Sequence, residues 1–271
     1  FAGAVETYSI EALMHDGKAL QSGTTHFFGD GFAKAFNISF QDKDNSVKAP
    51  FQTSWGVSTR LIGSIIMVHG DDNGLVLPPY VAPIQVVIIP IQQNKPGVLE
   101  KAETIKVGLQ ALGLRVKLDD SDRSPGWKFA EYEMKGVPVR IEVGPRDLEQ
   151  GVVTIAKRND GKKMVVQLEE VLATVPSLLQ TIHTEMYDAA KSHLEHHVTD
   201  IHTLEELDQA LNVKLGYAKM MWCGNQTCED KVKERFNATA RVLPFDQTAF
   251  DDTCPVCGEK SHKVVVFAKA Y

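Results

Sequence analysis

The sequence has no long apolar run, no overall positive charge and few cysteines. A membrane-spanning helix needs roughly 18 to 20 apolar residues, whereas the apolar stretch IQVVIIPI is short and contains a proline. The residues after Phe1 show neither the basic region nor the apolar core of a signal peptide. We therefore expect no membrane partner and a cytoplasmic location.

The net charge of −6 over 271 residues excludes a protein that is basic throughout. Between Arg123 and Lys163, however, nine lysines and arginines face six acidic residues. This local excess suits contact with a phosphate backbone. A solvated surface of mixed charge would explain it equally well.

Residues 1–82 predict antiparallel strands followed by a helix. Alternating residues suggest strands over Val5–Met14 and Lys18–Phe27, joined by a turn at Asp16-Gly17. Apolar spacing then predicts a helix over Val57–His69. Its expected buried positions are Leu61, Ile62, Ile65 and Val68.

Residues 83–175 predict a second domain in which strands and helices alternate. The apolar run Gln85–Ile91 is typical of a strand buried on both faces, and Val98–Leu112 has the spacing of an amphipathic helix. Such alternation indicates an α/β domain with a largely parallel sheet. Residues 176–271, which begin with a long helix from Leu178 and contain every cysteine, form the third expected domain.

The cysteines form two close pairs, which are Cys223 with Cys228 and Cys254 with Cys257. Two such pairs can place four thiolates around one tetrahedral Zn²⁺, in a site that is structural because no coordination position stays open. Two disulfides, a redox-active Cys-x-x-Cys and four unrelated buried cysteines are the alternatives. The paired spacing favours zinc.

The stretch TSWGVSTR, Thr53 to Arg60, permits two interpretations. A helix N-terminus offers free N–H groups to a phosphate, and Gly56, Ser58 and Arg60 suit such a site. The alternative is a capped core helix whose arginine lies on the surface. These eight residues alone favour the capped helix.

Longer segments carry a family resemblance. The stretch TSWGVSTRLIGSIIMVHGDDNGLVLPPYVAPIQVVIIPI resembles motif 3 of prolyl-tRNA synthetases and the following entry into the anticodon-binding domain. The segments EALMHDGKALQSGTTHFFGDGFAKAF and SPGWKFAEYEMKGVPVRIEVGPRDL resemble catalytic strands and the anticodon-domain signature of this family. The cysteine spacing and the final FAKAY resemble the C-terminal zinc domain of its archaeal and eukaryote-like branch.

The resemblance implies a fold of mixed α/β and α+β type. Its parts are a piece of a class II synthetase catalytic domain with an antiparallel sheet, an α/β anticodon-binding domain with a mixed sheet, and a small zinc-binding α+β domain. They correspond to residues 1–82, 83–175 and 176–271. In this family, motifs 1 and 2 precede the matched region, so we expect the isolated chain to be inactive.

The resemblance also implies an activity, namely ATP-dependent formation of prolyl-adenylate and transfer of proline to tRNA(Pro). Its cofactors would be Mg²⁺ with ATP and structural Zn²⁺, and the full-length protein would be a homodimer. The implied catalytic residue is Arg60. The other implied site residues are Gln21, Thr24 and Ser58 for ATP (with Arg60); His26, Trp55 and Gly56 for proline; Phe129, Glu133, Arg140 and Arg146 for the anticodon; and Cys223, Cys228, Cys254 and Cys257 for zinc.

Tyr271 matches a terminal tyrosine that the family folds back towards the active site. Two other hypotheses stay open at this point. One is a zinc-stabilised tRNA-binding module of the same family that lacks catalysis, and the other is an unrelated zinc-stabilised nucleotide-binding protein.

Overall fold

A computed structural model describes all 271 residues as a mixed α/β protein with several sheets. The chain forms two compact units, one containing residues 1–68 and 193–271 and the other residues 69–192. None of the helices combines the length and hydropathy required to cross a membrane. The division into three domains stays a prediction, and its expected boundary after residue 175 falls inside a helix.

The first unit begins with an antiparallel sheet in the order β1-β2-β5. Its strands are β1 (Glu6–Leu13), β2 (Ala19–Gly29) and β5 (Gln52–Val57), with a small hairpin of β3 (Phe40–Gln41) and β4 (Val47–Lys48) between β2 and β5. Two helices accompany the sheet, α1 (Gly31–Ala35) and α2 (Arg60–His69). The two predicted strands of the β1–β2 hairpin are therefore confirmed.

Gly17 makes the hairpin turn possible. Its φ of +76° lies in the left-handed region, and a Cβ at this position would lie 2.4 Å from the backbone oxygen of Leu215. Only glycine combines this backbone conformation with so close an approach. The turn thereby packs against the part of the unit that comes from the end of the chain.

The helix prediction for residues 57–69 was wrong at its start. Residues 52–57 pair with β2 as an edge strand, and the helix begins only at Arg60. The predicted burial was also wrong, because Ile62 is 61% exposed and Ser64 is the buried residue of α2. Trp55 and Val57 on β5 are exposed as well, so this part of the unit presents an apolar surface.

The second part of the first unit is a four-stranded sheet with two helices. Its order is β11-β12-β14-β13, with β11 parallel to β12 and the other pairs antiparallel. Its elements are β11 (Val198–Ile201), α7 (Leu204–Asn212), β12 (Tyr217–Trp222), α8 (Gln226–Phe236), β13 (Thr239–Val242) and β14 (Lys263–Ala268). Both helices pack on a buried core that includes Leu207, Val232 and Phe267.

The second unit is a five-stranded sheet in the order β10-β9-β8-β6-β7. Its elements are β6 (Val86–Pro90), α3 (Val98–Ala111), β7 (Val116–Leu118), α4 (Pro125–Met134), β8 (Val139–Val143), α5 (Pro145–Glu149), β9 (Val152–Lys157), β10 (Lys163–Gln167) and α6 (Val171–His196). The alternation of strands and helices predicted a largely parallel sheet, which was wrong, whereas the mixed sheet implied by the family resemblance is confirmed. Strands β7, β6 and β8 are parallel, but β9 and β10 are added antiparallel, which makes the sheet mixed.

Helix α6 begins earlier than predicted and ends before Val198, which lies in β11. Its first half belongs to the core of the second unit, where Val175, Leu178 and Ile182 pack with β6 and β8. The expected second and third domains therefore share this helix.

Candidate functional site

The candidate nucleotide residues lie on one face of the β1-β2-β5 sheet because β2 contains a β-bulge. Glu11 pairs with Gln21, but Ile10 pairs with Gly23, so Ser22 is the extra residue of β2. In a regular strand, residues 21 and 24 would point to opposite faces. The extra residue reverses this alternation and places Gln21 on the face that carries Thr24 and His26.

Two side-chain contacts support this assignment of the face. Gln21 Nε2 donates to Glu11 Oε1 at 3.2 Å, and Thr7 Oγ1 lies 3.0 Å from His26 Nδ1. Glu11 and Thr7 are on the same face of β1, because they lie four positions apart in the strand and side chains alternate between the two faces. Gly56 pairs with Thr24 and leaves open space in front of its Cα.

Trp55 lies on the opposite face, because it pairs with Thr25. It is 76% exposed there, beside other apolar side chains such as Ile10 and Val57. The structure therefore brings Gln21, Thr24, His26 and Gly56 to one face of the sheet and places Trp55 on the other.

The turn between β5 and α2 joins Arg60 to this polar face. The hydroxyl of Ser58 accepts the backbone N–H of Arg60 at 3.2 Å, so Ser58 caps the first turn of α2. Arg60 Nη1 donates to the backbone oxygen of Gln21 at 3.1 Å. The exposed guanidinium thus lies next to Gln21 at the N-terminus of a helix, where the helix dipole favours an anion.

Tyr271 lies at the turn of the same hairpin. Its hydroxyl donates to Asp16 Oδ2 at 2.8 Å, and Lys18 Nζ lies 4.9 Å from the centre of its ring. Burial, with a contribution from this hydrogen bond, raises the pKa of Tyr271 to about 12. The last residue of the chain therefore packs on the β1–β2 turn.

In the second unit, three of the four candidate anticodon residues come together. The guanidinium of Arg140 on β8 lies 4.1 Å from the ring centre of Phe129 on α4. Glu133 and Arg140 line the same small cavity of about 80 Å³, together with Tyr132 and Arg158. Arg146 lies apart from β8 on the short helix α5, where it is exposed.

Two residues of this cluster were not predicted. Glu142 accepts hydrogen bonds from Arg140 at 3.0 Å and from Lys163 at 2.9 Å, and Lys163 Nζ lies 5.6 Å from the centre of the Phe129 ring. The spacing of Arg140 and Glu142 on one strand face could have indicated their ion pair. Lys163 could not be found this way, because strand β10 was not predicted.

A buried lysine holds the loop that leads into α4. Lys128 is 2% exposed and donates to the backbone oxygen of Asp119 at 2.8 Å. Burial would raise the pKa of Asp119, but its hydrogen bonds with Ser121 and Tyr132 and the charge of Lys128 lower it below its usual value. This network fixes the loop and, with it, the start of the helix that carries Phe129 and Glu133.

The four cysteines form one cluster. All four sulfur atoms lie within 4.8 Å of one another, with Cys223 at 3.6 Å from Cys228 and at 3.8 Å from Cys257. These separations are far longer than a disulfide bond. They are close to the edge of about 3.8 Å that follows from a tetrahedron with Zn–S bonds of about 2.3 Å. The donor set and the spacing therefore fit a tetrathiolate metal site.

Comparison with known families places the chain among the aminoacyl-tRNA synthetases. Residues 85–178 match the family described as "Anticodon binding domain", and residues 204–271 match "Prolyl-tRNA synthetase, C-terminal". These matches account for most of the second unit and for the four-stranded part of the first apart from β11.

Matches to curated proteins extend over the whole chain. The chain is 54% identical over 271 residues to "Proline--tRNA ligase" of Lachnospira eligens, covering 100% of the chain and 57% of that protein. Proteins of the same name from Lachnoclostridium phytofermentans and Clostridium novyi are 53% and 52% identical, and the chain covers 56% of each. The chain belongs to the prolyl-tRNA synthetase family and spans somewhat more than half the length of these relatives.

Proposed function

We propose that the chain forms part of a proline–tRNA ligase. The carboxylate of proline would attack the α-phosphorus of ATP to give prolyl-adenylate and release pyrophosphate. The terminal ribose hydroxyl of tRNA(Pro) would then attack the adenylate carbonyl, and AMP would leave. The observation that carries the proposal is the match over all 271 residues to proteins named for this activity.

In this proposal, the polar face of the β1-β2-β5 sheet binds the substrates. Gln21, Thr24 and Ser58 contact ATP, and His26 and Gly56 contact proline. Arg60 neutralises charge on the phosphates as pyrophosphate leaves. Trp55 would contribute to the proline site only through the backbone or the opposite face, since its side chain does not share the face of His26.

The cluster around Arg140 would read the anticodon. Unpaired bases stack on aromatic rings and form hydrogen bonds with charged side chains, which is how single-stranded RNA is commonly recognised. Phe129 offers the ring, Glu133 and Arg140 offer hydrogen bonds, and Arg146 offers an exposed charge. Mg²⁺ would accompany ATP, the cysteines would hold a structural Zn²⁺, and the full-length enzyme would be a cytoplasmic homodimer.

Proline-dependent ATP–pyrophosphate exchange by the full-length gene product tests this function. We expect exchange with proline, and we expect Arg60→Ala to lower it about 100-fold or more, the scale for losing one charge-stabilising donor. Folding should be nearly unchanged, because Arg60 is exposed. Lys34→Ala, which removes a charge from an exposed ion pair on α1, is the control.

Three outcomes are informative. Exchange with a different amino acid alone would refute the proposed specificity. Binding of tRNA(Pro) without exchange would favour a non-catalytic tRNA-binding module. Normal exchange by the Arg60→Ala variant would indicate that Arg60 is a surface residue of a capped helix and does not act on ATP.

A further inference from the structure

A buried ion pair joins the two sheets of the first unit. Arg241 on β13 donates from Nε and Nη2 to Oε2 of Glu11 on β1, at 3.1 and 2.8 Å. The Glu11 side chain is only 4% exposed and that of Arg241 is 16% exposed. Both bonds end on the same carboxylate oxygen, so the other oxygen of Glu11 is available to a different donor.

That second oxygen binds Gln21. Gln21 Nε2 donates to Glu11 Oε1 at 3.2 Å, and Arg60 Nη1 donates to the backbone oxygen of Gln21. An ionised carboxylate only accepts hydrogen bonds, so Glu11 decides which way the Gln21 amide is turned. Gln21 Oε1 is left free to accept a hydrogen bond from a ligand.

The position of the Glu11 carboxylate depends on Arg241. A buried carboxylate that loses its ion-pair partner is strongly destabilising, and it then moves towards water. Such a movement would release the amide of Gln21. The β-bulge at Ser22 makes the arrangement possible, since it turns Gln21 towards Glu11.

We propose that Arg241 is a positioning residue of the nucleotide site. It holds the Glu11 carboxylate in place, and Glu11 in turn fixes the amide of Gln21 towards ATP. The inference rests on the proposed function, in which Gln21 contacts ATP. It adds that β13, from the part of the chain that matches the C-terminal family, supports nucleotide binding on the β1-β2-β5 sheet.

The test is the kinetics of ATP–pyrophosphate exchange by the full-length gene product. We expect Arg241→Ala to raise KM for ATP about tenfold, the scale of one hydrogen bond to a charged group, with kcat and KM for proline little changed. Arg241→Lys keeps the charge and should restore most of the loss. Arg235→Ala, an arginine of α8 that stacks on Phe236 in the same unit, should leave KM for ATP unchanged.

A double-mutant cycle distinguishes positioning from general stabilisation. If Arg241 acts through Glu11, adding Arg241→Ala to Glu11→Ala should not raise KM for ATP further. An unchanged KM for ATP in Arg241→Ala and Arg241→Lys, with only a lower melting temperature, would overturn the inference. So would an additive double variant. If the Arg241→Ala chain does not fold, Arg241→Gln and Glu11→Gln provide the same comparison.

The activity of the unsubstituted full-length protein distinguishes failure of the proposed function from failure of the positioning role. If this protein shows no exchange, the proposed function is refuted and, with it, this role for Arg241. If it is active but its KM for ATP does not respond to substitution of Arg241, only the positioning role is refuted.

Discussion

Arg158 in the second unit uses its whole guanidinium for hydrogen bonds. Two of its nitrogens donate to the carboxylate of Asp71 at 2.7 and 2.6 Å, and Nε donates to the backbone oxygen of Glu133 at 2.9 Å. Its side chain is 6% exposed, whereas that of Asp71 is 45% exposed. The hydrogen bond with Arg158 lowers the pKa of Asp71.

We expect Arg158→Ala to lower the free energy of unfolding by about 2 kcal/mol at neutral pH, less than for a fully buried pair because Asp71 is partly solvated. A lowered carboxyl pKa stabilises the fold above its unfolded value and loses this effect as pH falls through the folded pKa. The difference between wild type and variant should therefore shrink below about pH 4. Urea unfolding at several pH values measures this.

The matched control is Lys162→Ala, because Lys162 is 77% exposed in its ion pair with Asp160. Such surface pairs contribute little, so the change should stay below about 0.5 kcal/mol. A variant of Arg158 that is equally destabilised at neutral and at acidic pH would indicate lost packing and not a lost ion pair.

At the scale of elements, the four cysteines lie in α8 and in the segments that adjoin β12 and β14. Cys223 lies between β12 and α8, Cys228 lies in the first turn of α8, and Cys254 and Cys257 precede β14. Burial raises the pKa of the Cys228 and Cys254 thiols, whereas a backbone hydrogen bond at Glu259 lowers that of Cys257. A bound Zn²⁺ would have to stabilise all four as thiolates.

We expect one Zn²⁺ per chain by elemental analysis, and loss of it in Cys254→Ser. Chelation should lower the melting temperature of the first unit without unfolding it completely, because its four-stranded sheet also has an apolar core. Zinc should dissociate more readily as pH falls, since protons compete for the thiolates. His262→Ala, five positions after Cys257 in the sequence but outside the set of four cysteines, should retain zinc. Full zinc content in Cys254→Ser would contradict the assignment.

The elements also show where sequence reasoning succeeds. Buried apolar runs and amphipathic helices were predictable, as in β6 and in α3. Of the five residues of the predicted apolar stripe of α3, Val98, Ala102, Ile105 and Leu109 are buried, whereas Leu112 after the helix is 53% exposed. Pairing of β5 with β2 was not predictable, because the sequence QTSWGV of β5 mixes polar residues, apolar residues and a glycine without a clear alternation. The first turns of α6 were not predicted because Pro176 lies inside that helix, and proline usually precedes a helix or interrupts one.

The candidate site was predictable only as far as the family resemblance reached. The resemblance indicated Gln21, Thr24, His26 and Arg60 as candidate site residues, but it indicated neither Glu11 nor Arg241. These two residues are 230 positions apart, and no local pattern indicates a contact over that distance. Trp55 also shows that a sequence motif does not say which face of a sheet each of its residues occupies.

For the molecule as a whole, charge is unevenly distributed. The net charge is −6, but the segment from Arg123 to Lys163, with nine basic and six acidic residues, lies entirely in the second unit. This segment contains Phe129, Arg140 and Lys163, whose side chains lie together in the second unit. An acidic protein can therefore present one locally basic surface to RNA.

We expect binding of an anticodon stem-loop of tRNA(Pro) to weaken with salt, with a slope of log K against log salt of roughly −2, as for about three phosphate contacts to single-stranded RNA. Phe129→Ala should weaken binding at every salt concentration without changing the slope, because stacking releases no counterions. Arg146→Ala should make the slope shallower by about 0.7. Fluorescence anisotropy over a salt series measures both; a slope near zero would exclude a phosphate-contacting surface.

The β-bulge at Ser22 has a consequence for protein design. Gln21, Thr24 and His26 could not be grafted onto a regular antiparallel ribbon by copying these three residues, because Gln21 would then point to the wrong side. A recipient scaffold would have to receive the irregular step as well, together with a partner strand that supplies Glu11. A designer would thus have to transfer the two paired strands together with their β-bulge, and not only the side chains.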